Sequence, residues 1–252
     1  MGKNLHKYPF GKFPLPSEAP WYEPLSLLTM IASNTTNIKL ATAVLIAPLR
    51  NPALLAKTAA TLDSISKGRL ELGVGLGWQK EEYDTAGLSF ENRAEVFWET
   101  LDICKLLWED SPISFNGKYF NFDDIWCHPQ PPQGKDLPLL FGLKMTPENA
   151  SKIARVGHGW IPIKTSRDFI SEGKQILSEA FINAGRNDQP RIRGQLPTCV
   201  DEDGLPNIQL TLNEIEKSMA AGLDEVEVFP INFVQGPEDI YKVLKLISEV
   251  KK

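Results

Sequence analysis

The sequence predicts an α/β fold built on a parallel sheet, and three observations carry that reading. Apolar strand-like runs alternate with helix-like segments of ordinary length, one helix followed by six strand–helix repeats. No Pro-, Gly- or Ser-rich linker separates the repeats, so 1–252 reads as a single domain. The length, 252 residues, is close to that of α/β barrels.

Residues 1–20 are rich in proline and read as a loop. A helix opens at Pro20-Trp21 and runs to about Thr36. Ile38–Ile46 (IKLATAVLI) is a buried strand that Pro48 stops. Asn51-Pro52 supplies an N-cap and a first-turn proline for the next helix, and Gly68 is placed just past its end. Arg69–Trp78 (RLELGVGLGW) alternates as a strand and carries Gly73, Gly75 and Gly77. A loop covers 78–89, and a helix runs from Ser89 or Phe90 to about Trp108. Residues 110–136 form an irregular insertion with a hairpin from Phe115 to Phe122 around Asn116-Gly117. Then come the strand Leu137–Gly142, a helix Pro147–Val156 and the strand Gly159–Ile163. The helix Arg167–Ala184, the strand Arg191–Leu196 and one helix over Leu210–Ala221 follow. The strand Glu225–Phe229 and a helix Pro237–Val250 close the chain.

Composition narrows the partners. The chain is 42% hydrophobic and 23% charged, with a formal net charge of −5 and no basic stripe to hold nucleic acid or a membrane surface. Cys104, Cys127 and Cys199 show no CxxC spacing, and His6, His128 and His158 are scattered. A disulfide framework or a metal site is therefore not expected, and a reducing cytoplasm suits the chain. No apolar run reaches membrane-spanning length.

Glycines at the end of a strand mark places where a backbone or a ligand comes close. Gly75–Trp78 is thus either a glycine-weakened core turn or the floor of a cofactor site, and the stretch alone leaves both open. It is neither a P-loop, lacking Gly-Lys-Ser/Thr, nor a dinucleotide fingerprint, since the spacing is GxGxG and no helix follows directly. In a barrel, chemistry sits at the C-terminal ends of the strands. That rule selects Ala47–Asn51, Gly75–Tyr83, Gly142–Thr146, Pro162–Thr165, Thr198–Asp203 and Pro230–Phe233. No nucleophilic triad lies among them, so no catalytic side chain is assigned. Glu81 and Glu82 read as solvated loop acids. Asp63, Lys67 and Arg69 fall at the opposite end and read as helix-end and salt-bridge residues. Gly142-Leu143-Lys144-Met145-Thr146 opens a helix whose N-terminal amides suit a phosphate, with a plain strand-to-helix turn equally open.

The run PWYEPLSLLTMIASNTTNIKLATAVLIAPLRNPALLAKTAATLDSISKGRLELGVGLGW (20–78) closely resembles the bacterial luciferase-like monooxygenases. The likeness continues through 81–108, HPQPPQ (128–133), LPLLFG (137–142) and ARVGHGWIP (154–162), and is greatest to the deazaflavin (coenzyme F420)-dependent branch. The resemblance implies a TIM-barrel-like (β/α)8 fold. It implies a cytoplasmic oxidoreductase or monooxygenase that uses coenzyme F420 or FMN on a small organic substrate. It places a strand bulge, often with a non-proline cis peptide, at Ala43-Val44 behind the flavin ring. Gly75-Leu76-Gly77-Trp78 and Gly142-Leu143-Lys144-Met145-Thr146 match segments lining the cofactor phosphate or tail. Family members often have Gly-Gly where this chain has Gly142-Leu143, and Asp-Gly-Trp where it has His158-Gly159-Trp160. Against the family pattern the barrel is incomplete, with about six strands corresponding to strands three to eight. The first strand–helix–strand is expected to be missing, leaving open barrel edges that make the chain either poorly soluble or self-associated, as a homodimer or a larger assembly. The competing readings are a flavin-binding protein without catalysis and an inactive fragment of a longer enzyme.

Overall fold

The computed structural model describes residues 20–234, 236 and 238–250, which divide into two compact units, Met1–Phe141 and Gly142–Lys252. The expected loop over 1–20 and the helix start at Pro237 lie outside the described residues, except for Pro20.

In the first unit, α1 (Pro24–Asn34) starts four residues later than the sequence suggests, because Glu23 is its N-cap and accepts from the Ser26 amide at 2.7 Å. The strand expected as continuous over Ile38–Ile46 is two short pieces, β1 (Leu40–Ala41) and β2 (Leu45–Ile46). α2 (Pro52–Ser66) begins as expected, with the Asn51 side chain accepting from the Leu54 amide and proline in the first turn. Its end is also as expected, with Gly68 just past the C-cap at φ +80°; the C-cap itself, Lys67, is left-handed too, at φ 59°. The Gly68 amide donates back to the Asp63 carbonyl, closing the helix.

β3 (Leu70–Gly75) is buried along its whole length and pairs in parallel with both β1 and β2. α3 (Lys80–Thr85) is a short helix where a loop is expected, and α4 (Arg93–Glu109) starts a little later than its sequence signal. The buried indole N–H of Trp108 ties α4 to α2 by donating to the Ala56 carbonyl at 3.0 Å. The hairpin is present and longer than expected, β4 (Ile113–Asn116) against β5 (Asn121–Ile125). Glu99 of α4 holds its turn by accepting from the amides of Lys118, Tyr119 and Phe120. β6 (Leu139–Phe141) pairs in parallel with β3 and closes the unit.

The residues assigned to the far end of β3 are there, but among the described residues Asp63 and Arg69 bond to backbone, hydroxyl and amide groups rather than in salt bridges. Arg69 donates to the carbonyls of Ala32 and Thr35, serving the free C-terminal carbonyls of α1. The Asp63 carboxylate is buried and accepts from the Leu70 amide and from Gln133.

The second unit holds α5 (Pro147–Val156), β7 (Gly159–Trp160), α6 (Arg167–Asn183) and β8 (Arg191–Gln195). It continues with α7 (Ile208–Leu212), α8 (Ile215–Ala220), β9 (Glu225–Glu227) and α9 (Asp239–Ser248). β7, β8 and β9 pair in parallel. The single helix expected over Leu210–Ala221 is two, broken at Asn213-Glu214. Arg191 and Arg193 of β8 both reach Glu225 on the neighbouring strand. Counting β1 and β2 as one interrupted strand, the described residues hold six parallel strands, three in each unit. Among the described residues no helix is long and apolar enough to cross a membrane.

Candidate functional site

Parallel register brings the ends of β2 and β3 level in the first unit, with Ile46 opposite Gly75. Lower down, Ala41 lies opposite Glu71 and Leu45 opposite Val74, so the interrupted strand carries one residue more than its neighbour. That extra residue is a bulge, and bulges re-aim side chains near a strand's end. The Ala43–Val44 peptide within it is cis, and both residues are exposed. The buried Thr42 hydroxyl fixes the bulge to β3 by donating to the Gly73 carbonyl at 2.8 Å.

Past β3 the chain turns at Leu76-Gly77-Trp78, all half-buried. Gly77 has φ +71°, and a Cβ there would lie 2.8 Å from Ile46 Cγ2. Left-handed backbone and close approach to the next strand both require glycine at this position. Tyr83 of α3 braces the turn from below. Its ring is buried edge-on to Phe90 at 5.4 Å, and its hydroxyl donates to the Leu76 carbonyl. Arg93 in turn lies over Phe90, 3.7 Å from the ring centre. One carboxylate oxygen of Glu81, on the same short helix, is buried without a hydrogen-bond partner, and burial raises the Glu82 carboxyl. These acids are therefore not the freely solvated pair expected.

A groove of about 390 Å³ opens beside the bulge, lined by Trp21, Pro24, Val44, Leu45, Ile46, Leu49 and Arg50. Its walls are apolar except for Arg50. The Arg50 guanidinium is 2.7 Å from one Glu23 oxygen, while the other Glu23 oxygen caps α1. Partial burial raises the Glu23 carboxyl, but the Ser26 hydrogen bonds and the Arg50 charge outweigh it and hold the group below the usual carboxylate range.

In the second unit, Gly142-Leu143-Lys144-Met145-Thr146 does lead into α5. Leu143 and Met145 are buried, whereas Lys144 is exposed. The Thr146 hydroxyl is the N-cap, accepting from the Asn149 amide at 3.2 Å, and the Asn149 side chain donates back to the Lys144 carbonyl at 3.0 Å. The buried Trp160 indole donates to the Leu143 carbonyl at 2.8 Å. The loop is thus held from inside, and Lys144 is the charge it offers outward.

Residues 6–204 match the family model for luciferase-like monooxygenase. The chain belongs to the luciferase-like monooxygenase family. The uncharacterized protein Rv0953c of Mycobacterium tuberculosis is 35% identical over 174 residues, 69% of this chain and 59% of the relative. The chain therefore spans about three fifths of that relative's length. The coenzyme F420-dependent tetrahydromethanopterin reductase of Methanopyrus kandleri superposes with a TM-score of 0.74 at 20% identity, over 90% of this chain and 86% of that one. The oxygenating constituent of 3,6-diketocamphane monooxygenase from Pseudomonas putida, solved with FMN, gives 0.72 at 19% identity, over 90% and 82%. At these identities the likeness is one of fold, the TIM-barrel-like α/β fold of luciferase-like proteins.

Among the expected site residues of this family member, Ala43, Val44 and Gly75–Trp78 are gathered at adjoining strand ends of one unit, and Gly142–Thr146 lies in the other. Three contributors were not singled out as site residues, although Arg50 and Tyr83 fall within the strand-end segments Ala47–Asn51 and Gly75–Tyr83. Tyr83 reaches Leu76 across seven residues, and Arg50 reaches Glu23 across 27. Trp21 falls inside the helix expected to open at Pro20; with the start at Pro24 it lies outside α1 and becomes a groove wall instead.

Tyr83 supports a test of the turn. Burial pushes its phenol from an ordinary 10.0 up to about 12. A group that binds its proton more tightly in the folded state adds stability below its unfolded pKa and loses it as pH rises through the folded one. That contribution should be intact at neutral pH and fade between about pH 10 and 12. Tyr83→Phe is expected to lose about 1 kcal/mol at neutral pH with the Leu76 hydrogen bond, and to lack the alkaline component. Denaturant midpoints measured at neutral and alkaline pH check both, and a variant that tracks the parent throughout would show that the hydroxyl does not brace the turn.

Proposed function

We propose that the chain is a luciferase-like oxidoreductase that binds FMN or coenzyme F420 and acts on a small organic substrate. The observation that carries this reading is the apolar groove beside the bulge and glycine turn at the ends of β2 and β3. Its volume, about 390 Å³, lies within the range of small-molecule sites and suits one flat heterocycle. Apolar walls with a single charged group fit a ring that is mostly carbon but bears polar edges. Ala43, Val44, Gly75, Leu76, Gly77 and Trp78 are the cofactor-binding residues proposed in the first unit. In the second, Gly142, Leu143, Lys144, Met145 and Thr146 form a proposed phosphate-binding segment, with Lys144 as its charge.

The bound cofactor would supply hydride transfer or, as reduced FMN, activation of dioxygen. The chain's own part is to hold and orient. The bulge presents Val44 as a wall of the groove, Gly75 and Gly77 lie against Ile46, the wall residue of the neighbouring strand, and Trp21 and Leu49 would cover the ring faces. Sharing the family fold does not by itself fix an activity, so the reading is tested on binding first.

Quenching of FMN or coenzyme F420 fluorescence on titration is expected to give micromolar or tighter affinity, about −8 kcal/mol. Gly75→Val should weaken binding far more than it lowers the denaturant midpoint, because the added side chain stands where backbone meets ring. Absence of quenching by either compound at about tens of micromolar, on folded protein, would remove the proposal.

A further inference from the structure

Arg50 has a geometry that stability does not account for. Its ion pair with Glu23 joins two side chains that remain 31% and 42% exposed, and pairs of this kind contribute little to folding. Yet the arrangement is specific. Glu23 is committed on one side to the first turn of α1, through the Ser26 amide. Its other oxygen takes a single Arg50 nitrogen, Nη2, at 2.7 Å. A guanidinium has five N–H donors in a rigid fork. Among the described residues the remaining donors of Arg50 have no partner, and they lie on the rim of a groove whose other described lining residues are Trp21, Pro24, Val44, Leu45, Ile46 and Leu49. A helix-capping carboxylate thus anchors a cation at the edge of an apolar slot.

What such a slot selects follows from its chemistry. The faces of a ring would meet the apolar walls, and one edge would meet Arg50. That edge needs two neighbouring acceptors, because a fork pairs best with two acceptors in one plane. FMN and coenzyme F420 share such an edge, the pyrimidinedione end of the ring system. The same end takes up negative charge when the ring is reduced, so a cation there favours the reduced form. We propose that Arg50, held by Glu23, binds the pyrimidinedione edge of the cofactor ring and so sets the direction in which the ring lies in the groove. This rests on the reading that a flavin or deazaflavin binds here.

A cofactor phosphate could use the same guanidinium, and riboflavin, which has the ring without the phosphate, separates the two. Riboflavin, FMN and coenzyme F420 are titrated onto the parent chain, Arg50→Gln, Arg50→Lys and Glu23→Gln, with a melting curve for each. The expected result is a loss of about ten- to a hundredfold in affinity for all three compounds in Arg50→Gln, the size of a lost hydrogen bond to a charged group. Arg50→Lys should lose less, since it keeps the charge but not the fork, and Glu23→Gln should lose least. Melting temperatures should stay close to the parent's, and the midpoint potential of bound FMN should fall in Arg50→Gln. Should Arg50→Gln prove unstable, Arg50→Lys and Glu23→Gln carry the same comparison. Unchanged affinity in the Arg50 variants overturns the proposal while leaving cofactor binding intact. A loss confined to FMN and coenzyme F420, with riboflavin unaffected, assigns Arg50 to the phosphate and also overturns it. A folded parent chain that binds none of the three compounds removes the cofactor reading itself.

Discussion

Replacing Gly159 with alanine is expected to destabilise the chain by about 3 kcal/mol, at the upper end of overpacking costs. An alanine Cβ would lie 2.0 Å from the Arg191 carbonyl oxygen and 2.8 Å from its carbon. Those atoms are backbone of the paired strand, so no side-chain rotation relieves the clash. The Arg191 amide donates to the His158 carbonyl at 2.9 Å, and Gly159 is the register partner of Arg191. Moving either strand breaks that pairing. The damage spreads through Trp160, the next residue, whose ring packs on Gly173 and whose indole holds the Leu143 carbonyl. The Gly142–Thr146 loop should therefore loosen as well, visible as faster amide exchange through Asn149 and Ala150. Gly185→Ala is the contrast. It has φ +74° but nothing within 4 Å of the new Cβ, so its cost should be only the left-handed strain of about 1 kcal/mol. Equal denaturant midpoints for the two variants would show that close approach at Gly159 is not what limits that position.

The alternation of strands and helices was legible because burial enforces periodicity, and the helix caps at Asn51 and Thr146 were legible because capping is local chemistry. What escaped was set by tertiary structure or by short length. The six residues of α3 are too few to show a helical apolar stripe. The break at Asn213-Glu214 interrupts a pattern that remains amphipathic across it. At the end of α2 the preference for glycine correctly pointed to Gly68, but not to the left-handed Lys67 before it, because lysine has no such preference. The bulge at Ala43-Val44 could not be read from an apolar run, since IKLATAVLI is hydrophobic on both faces; the family resemblance pointed to it. In the candidate site the glycine turn was visible and its supports were not. Tyr83 and the Glu23–Arg50 pair become neighbours of the strand ends only when the chain folds, and neither has a spacing that announces the contact.

Asp63→Ala is expected to cost about 4 kcal/mol and to leave cofactor affinity unchanged. The side chain is fully buried and accepts three hydrogen bonds, from the Leu70 amide at 3.2 Å, the Gln133 amide at 3.2 Å and Gln133 Nε2 at 2.8 Å. The same Nε2 donates to the Leu70 carbonyl at 2.8 Å, so one carboxylate and one amide together pin the 110–136 insertion to the start of β3. Alanine would leave the buried Leu70 amide and the half-buried Gln133 amide without their acceptor, while Gln133 Nε2 keeps only its bond to the Leu70 carbonyl, and each buried donor left unpaired carries a desolvation cost of about 1 to 3 kcal/mol. Asp63→Asn should cost less, about 2 kcal/mol, because one acceptor oxygen remains while an NH₂ now faces donors. Gln133→Ala should also cost less than Asp63→Ala, since it removes the two Nε2 bonds but keeps the backbone amide at position 133 on the carboxylate. Leu70 opens β3 and Gly75 ends it, so all of this lies at the end of the strand opposite the groove. Titration of folded Asp63→Ala with FMN or coenzyme F420 should therefore give the parent's affinity, even as its denaturant midpoint drops. A variant that keeps its midpoint but loses binding would reverse the assignment and place the ligand at the Asp63 end of the strand.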